Sequence, residues 1–177
     1  MLATLMQNRR SVRSYKEGYL DSDQVWKLVY AGIGHTIGNR RVVPSAGGCY
    51  PLRMYLVIGK VTNMEPGLYC ARSKELIRAG DFRQGLCDVA LGQQSIANAQ
   101  MDIIIAANYD KITPRYHGRG VRYAHIEVGH VGQNIALQAV ELGLGTVMIG
   151  AFNDNLVKEF LGIQEEPVYI IPVGLLL

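Results

Sequence analysis

Three guanidiniums and two hydroxyls fall within six residues near the start of the chain, in Arg9-Arg10-Ser11-Val12-Arg13-Ser14. Arginine presents a planar fork of donors that matches phosphate oxygens two at a time, and a neighbouring serine adds a neutral donor. The cluster follows a short apolar run with the length of one or two helical turns. It reads as a seat for a phosphorylated ligand at a helix end. The competing reading is a solvated basic knuckle. Two glycine-bearing segments favour the first.

One is Pro44-Ser45-Ala46-Gly47-Gly48, ahead of an alternating stretch rich in β-formers. Paired glycines accept positive φ and let backbone amides approach a ligand, although in isolation the same residues make a plain turn. The other runs from Gly143 to Phe152 as Gly-Leu-Gly-Thr-Val-Met-Ile-Gly-Ala-Phe. Its spacing is not that of a dinucleotide fingerprint. Its first glycines stand between a helix and a strand, the reverse of the required order, so a Rossmann reading fails. The far end, Ile149-Gly150-Ala151, stops in small residues ahead of a helix cap, a place where backbone amides meet a flat ring.

These residues need a scaffold. A chain of 177 residues with 49% hydrophobic residues suits one domain, spanning 1–177. A net charge of +3 does not indicate a basic nucleic-acid surface. Cys49, Cys70 and Cys87 are far apart and lack metal-ligand spacing, so neither a disulfide framework nor a metal is expected. Residues 1–6 are too few, and too soon followed by arginines, for a signal peptide. The longest apolar run, about Met101 to Ala107, is far short of a membrane span. The expectation is a soluble cytoplasmic protein with no membrane or nucleic-acid partner.

Local patterns order the elements. Asp21 or Ser22 caps a helix carrying Val25, Trp26, Val29 and Tyr30 at helical spacing, with Trp26 and Tyr30 expected in the core. Strands are predicted over 52–58, 67–69, 75–78, 102–107, 145–149 and 168–173. Further helices are predicted over 81–91, capped by Asp81, and over 93–98, 120–142 and 156–161, the last capped by Asn153. Helices and strands mix without strict alternation, which predicts an α+β fold: a central, mostly antiparallel sheet of four to five strands flanked by helices in three layers. The long helix carries Ile126, Ile135, Leu137, Val140 and Leu142 on more than one side, with Gly129, Gly132 and Ala136 between them. A helix apolar nearly all round must be buried, and a second copy of the chain is the simplest cover, so a homodimer is expected.

Arg-Arg-Ser-x-Arg near the start, Pro-Ser-Ala-Gly-Gly before a strand, and a helix with Arg122-Tyr123, Glu127-x-Gly129-His130 and Gln133-Asn134 occur in order. Leu-Gly-Leu-Gly followed by Ile-Gly-Ala-Phe completes the set. Together these motifs resemble the FMN-dependent nitroreductase superfamily over nearly the whole chain, nearest to its SagB-type dehydrogenase branch. The resemblance implies an intertwined dimer with FMN at the interface. It implies that Arg9, Arg10 and Ser11 grip the phosphate and ribityl region and that Arg13 stands beside the pyrimidine edge. Ser45, Gly47 and Gly48 match the loop a partner subunit lays against the flavin. Ile149 and Gly150 match the strand end that covers one ring face, the Gly150 amide directed at N5. The implied activity is ping-pong hydride transfer between small-molecule partners, from NAD(P)H to an acceptor such as a nitroaromatic or a quinone.

Two departures stand out. Relatives carry a lysine or arginine phosphate ligand near the C-terminus, whereas residues 172–177 here include no cation. Phosphate binding is therefore expected to rest on the N-terminal arginines. The branch that oxidises azoline rings resembles a Lys-Tyr pair before the long helix, and this chain has Arg115-Tyr116. An arginine stays protonated and is a poor base, which leaves Tyr116 as the candidate catalytic residue. A flavin-binding partner protein without catalysis is the alternative from another class. His125 and His130, five apart, do not share one helix face, so His130 is expected to be packed or at an interface.

Overall fold

The computed structural model describes residues 2–177. Its centre is strand β4, Met101–Ala107, in which every residue is buried. The uninterrupted apolar run that marks it in the sequence requires cover on both faces, and both are covered. Around it are β1 (Leu52–Ile58), β2 (Gly67–Cys70), β3 (Glu75–Ala79), β5 (Leu144–Thr146) and β6 (Glu166–Leu175), in the order β3-β2-β1-β4-β6-β5. All neighbouring strands are antiparallel.

The expected antiparallel sheet is therefore present with six strands instead of four or five. The hairpin of β2 and β3 pairs onto β1 through Tyr55 and Cys70 and so extends the same sheet. The strand expected over 145–149 is shorter: its ladder ends at Thr146, and only Ile149 rejoins, opposite Ile170.

The seven helices are α1 (Leu2–Asn8), α2 (Ser22–Ile33), α3 (Arg83–Val89), α4 (Gln94–Asn98), α5 (Thr113–Tyr116), α6 (Arg119–Glu141) and α7 (Asp154–Leu161). They split by sheet face, as strand periodicity requires. Leu56, Ile103 and Ile105 point to the side of α2 and α6, where they meet Leu28, Val131 and Ile135. Val57, Ile104 and Ile170 point to the other side, against Leu86 of α3, Ile96 of α4 and Val157 of α7. Each such aliphatic side chain contributes on the order of 2 kcal/mol by leaving water.

Asp21 caps α2 as expected, with a reciprocal bond from its own amide to Gln24 Oε1 at 2.9 Å, worth about 1 kcal/mol. Asn153 likewise caps α7, accepting from Leu156 N at 3.1 Å. Asp81 does not sit at the cap of α3. It accepts from Arg83 Nε at 2.8 Å and forms an ion pair with that guanidinium, and the helix starts later and ends earlier than 81–91. Tyr30, expected in the core, is 55% exposed, and Trp26 is half-buried. Among the described residues no helix is long and apolar enough to cross a membrane.

One polar group interrupts the core. Asp102 of β4 is fully buried, and neither carboxylate oxygen has a hydrogen-bond partner. Burial pushes its pKa well above the usual carboxylate range, and the Arg83 guanidinium opposes that shift only in part. A carboxyl whose pKa is raised by folding favours the folded state when protonated and costs stability as pH rises past its unfolded value, near 4. Asp102→Asn is therefore expected to raise the thermal unfolding midpoint at pH 7, with the gain shrinking toward pH 4. Midpoints for both proteins between pH 4 and 8 test this, and a lower midpoint for the variant at pH 7 overturns it.

Candidate functional site

The arginine-rich segment forms an extended arm across the β5 edge of the sheet. Val12 N donates to Thr146 O at 2.9 Å, and Ser11 stands opposite Thr146 in a parallel bridge. Farther along, Lys16 N donates to Leu175 O at 3.1 Å, and Gln100 Nε2 donates to Lys16 O at 2.9 Å. Two glycines make room for the arm. A Cβ at Gly145 would lie 2.6 Å from Val12 Cγ1, and one at Gly174 would lie 2.5 Å from Tyr15 Cγ. Pinned in this way, the arm leaves Arg10, Ser11 and Arg13 exposed and Arg9 half-buried. Among the described residues no carboxylate pairs with any of these three arginines. Guanidiniums carried on a pinned backbone without an internal anion are available to an external one.

The same edge carries Ile149 and Gly150. Ile149 exchanges two backbone bonds of 2.9 Å with Ile170, which fixes the position of the next residue. Gly150 is exposed, and a Cβ there would meet only the Tyr169 ring, at 3.4 and 3.7 Å. The protein itself does not demand glycine at this position. The open space over Gly150 suits a flat group laid against the backbone.

A second group assembles elsewhere. Ala46–Gly48 forms a single 3-10 turn with Gly47 at φ +58° and Gly48 at φ +66°, a conformation that disfavours side chains. Arg115 Nη1 donates to Gly47 O at 3.0 Å. A Cβ at Gly47 would lie 2.5 Å from Tyr116 Oη and 2.7 Å from Arg115 Nη1. The structure thus brings Tyr116 against the glycine turn, with its ring edge-on to Tyr123 at 5.1 Å. Ser45 Oγ accepts from Tyr50 N at 2.9 Å. No hydrogen bond or ion pair among the described residues joins this group to the arginine arm.

Glu127, which carried no role in the sequence reading, lies at the back of the glycine turn. It is 4% exposed on α6, and its Oε2 has no partner. Burial raises its pKa, while the Ser45 hydroxyl and the charge of Arg41 act in the opposite direction. An acid inside an otherwise apolar helix face was the available signal. His125 Nε2 lies 2.7 Å from Tyr109 Oη. His130, expected to be packed or at an interface, is exposed on this single chain.

Comparison with known proteins places this geometry. Residues 6–175 match the Nitroreductase family. A relative from Methanocaldococcus jannaschii, described as a nitroreductase, is 42% identical over 98% of this chain and 90% of its own length. A nitroreductase-type structure from Anabaena variabilis superposes with a TM-score of 0.83 at 30% identity, over 98% of this chain. This chain spans 38% of that one. The Escherichia coli microcin synthetase McbBCD complex matches with a TM-score of 0.80 at 20% identity, over 97% of this chain and 72% of the other. A Desulfovibrio desulfuricans structure in complex with FMN matches at 0.72 and 18% identity, over 98% of this chain and 84% of the other. The chain belongs to the Nitroreductase family.

The glycine turn yields a direct test. Gly47→Ala forces a side chain into positive φ and against Arg115 and Tyr116. It is expected to lower unfolding stability by about 1–3 kcal/mol in urea titration. An unchanged midpoint means that the turn is not clasped in this way.

Proposed function

We propose that the chain is an FMN-dependent oxidoreductase whose cofactor lies between two copies of the chain. The observation that carries this reading is the β5 edge. Three uncommitted guanidiniums and Ser11 stand at one end of it, and the side-chain-free surface at Gly150 stands at the other. The first suits a phosphate and the second a planar ring. FMN, when bound, supplies reversible two-electron chemistry.

The protein's contributions follow from its residues. Arg9, Arg10 and Ser11 hold the phosphate and ribityl region. Arg13 holds positive charge beside the ring edge where negative charge grows on reduction. Ile149 and Gly150 limit access to one face. The turn at Ser45, Gly47 and Gly48, with Tyr116 behind it, completes the pocket from the partner subunit. The electron donor is a reduced nicotinamide nucleotide, and the acceptor a small molecule such as a nitroaromatic or a quinone.

The pairing of subunits is supported by what one copy leaves uncovered. Helix α1 buries none of its seven residues, and a helix that short does not hold itself together in water. Leu2 and Met6 are 58% and 56% exposed, and Ile126 on α6 is 50% exposed. A second copy would cover such exposed apolar groups, and in this proposal it supplies its glycine turn to the arm.

Azoline oxidation, which the resemblance to the SagB-type branch implies, is a second reading. Against it, Arg115 stays protonated and is already engaged with Gly47 O, which leaves Tyr116 as the candidate acid or base.

The variant Arg9→Ala/Arg10→Ala is expected to retain FMN at least roughly tenfold more weakly, the effect of losing one or more charge-assisted bonds, with unchanged far-ultraviolet circular dichroism. Gly150→Val is expected to fold normally and to bind less flavin. Visible absorbance after gel filtration with added FMN measures both. A colourless wild-type protein under these conditions ends the proposal.

A further inference from the structure

A second set of cations lies on the opposite half of the sheet from Arg9, Arg10 and Arg13. Arg53 comes from β1, Arg72 from the turn after β2, Arg41 from the loop after α2 and Lys111 from the segment after β4. With His35 and Cys70 they line a narrow recess of about 30 Å³. The carboxylates that act on these cations are few. Glu165 Oε1 is 3.5 Å from Arg53 Nε, and its other oxygen is taken by the Tyr55 hydroxyl at 2.6 Å. Glu127 acts on Arg41, across the Ser45 turn.

The cations crowd one another. Arg53 Nε is buried, and its one anion, Glu165 Oε1, stands 3.5 Å away without a hydrogen bond. Lys111 is pushed down from its ordinary pKa, first by burial and then by Arg53, Arg72 and Arg41, and Arg41 is pushed down by burial and by Arg72. Like charges gathered in a partly desolvated space repel strongly. An oxoanion in the recess relieves that repulsion.

The recess adjoins a wider cleft of about 380 Å³, and the two share Ile33, His35 and Arg72. That volume lies in the range of small-ligand sites, roughly 300–1,000 Å³. Its walls include Trp26, Val29, Tyr30 and Ala71. Tyr30 leaves aromatic surface open on α2, and the half-buried Trp26 ring carries Lys74 Nζ 4.6 Å from its centroid. A cationic end and an aromatic body in one cleft define an amphipathic ligand.

We propose that this compound pocket binds a small amphipathic anion, with its carboxylate or phosphate in the recess of Arg41, Arg53, Arg72 and Lys111 and its ring-bearing body against Trp26 and Tyr30. Within one chain it is separate from the arginine arm.

Calorimetry on the purified full chain, with its flavin content recorded, tests the proposal using benzoate, phenyl phosphate, benzyl alcohol and inorganic phosphate. Trp26 is the only tryptophan, so its fluorescence gives a parallel readout. At least one aromatic anion is expected to bind one-to-one, more tightly than both benzyl alcohol and inorganic phosphate, and the ranking of the two aromatic anions identifies the preferred head group. Arg72→Gln/Lys111→Gln, both at exposed positions, is expected to weaken the preferred anion by roughly tenfold or more while leaving flavin content unchanged. Tyr30→Ala is expected to weaken the aromatic anions but not inorganic phosphate. The proposal is overturned if neither anion binds at millimolar concentration. It is overturned equally if benzyl alcohol or inorganic phosphate binds as well as the aromatic anions, or if the double variant binds the anion as the parent does.

Discussion

The hydrogen bond from Val12 N to Thr146 O fixes everything on the arginine side of the candidate site. It ties a polar, charged segment with little intrinsic structure to the sheet edge through a single parallel bridge. The glycines at 145 and 174 make that docking possible, because each occupies the place where a side chain would strike Val12 or Tyr15. Tyr15 holds the arm from within. Its hydroxyl donates to Val12 O at 2.9 Å, and burial together with nearby Asp102 raises its pKa so that the phenol stays a donor. The guanidiniums are then positioned by backbone geometry and not by ion pairs with neighbours. This leaves their donors free, a necessary condition for holding an anion from outside.

The placement of acids reinforces this arrangement. The buried carboxyls, Asp102 and Glu127, sit in surroundings that raise their pKa. Neither is near enough to the arm to neutralise it by an ion pair. The acids that do pair, Asp81, Glu17, Glu165 and Glu166, engage Arg83, Lys60, Arg53 and Lys158 on other parts of the molecule. A chain with a net charge of only +3 thus keeps a concentrated positive edge. Net charge gave no indication of a nucleic-acid surface, and it said nothing of local fields, which depend on which charges are paired.

Much of the scaffold was legible because local signals and tertiary demands agree. The run 101–107 reads as a doubly buried strand and is one. The strand over Leu52–Ile58 and the caps at Asp21 and Asn153 also stand where the pattern placed them. The errors arose where a residue had two possible uses. Asp81 has the chemistry of a cap but is drawn into an ion pair with Arg83. Tyr30 follows the helical apolar spacing but lies at the rim of α2, where a cleft and not the core begins. The roles of Gly145 and Gly174 were hidden because they depend on Val12 and Tyr15, more than 130 positions away in the chain. Glu127 was visible as a polar residue in an apolar helix, but its contact with Ser45 is a long-range fact.

Helix α6 links the two groups of the candidate site mechanically. Successive residues on a helix point about 100° apart, so Glu127 and Ile126 look in different directions from one turn. Glu127 faces inward to the Ser45 turn, and Ile126 faces outward into the surface that one copy leaves bare. The turn is held from a second direction by Arg115, on the short helix directly before α6. Any shift of α6 that accommodates a partner therefore moves the support of the glycine turn as well. In the two-copy arrangement, association of the subunits and placement of the turn against the neighbouring arm become a single event. In that proposed arrangement a lone chain presents cations without a cover, and pairing would enclose them.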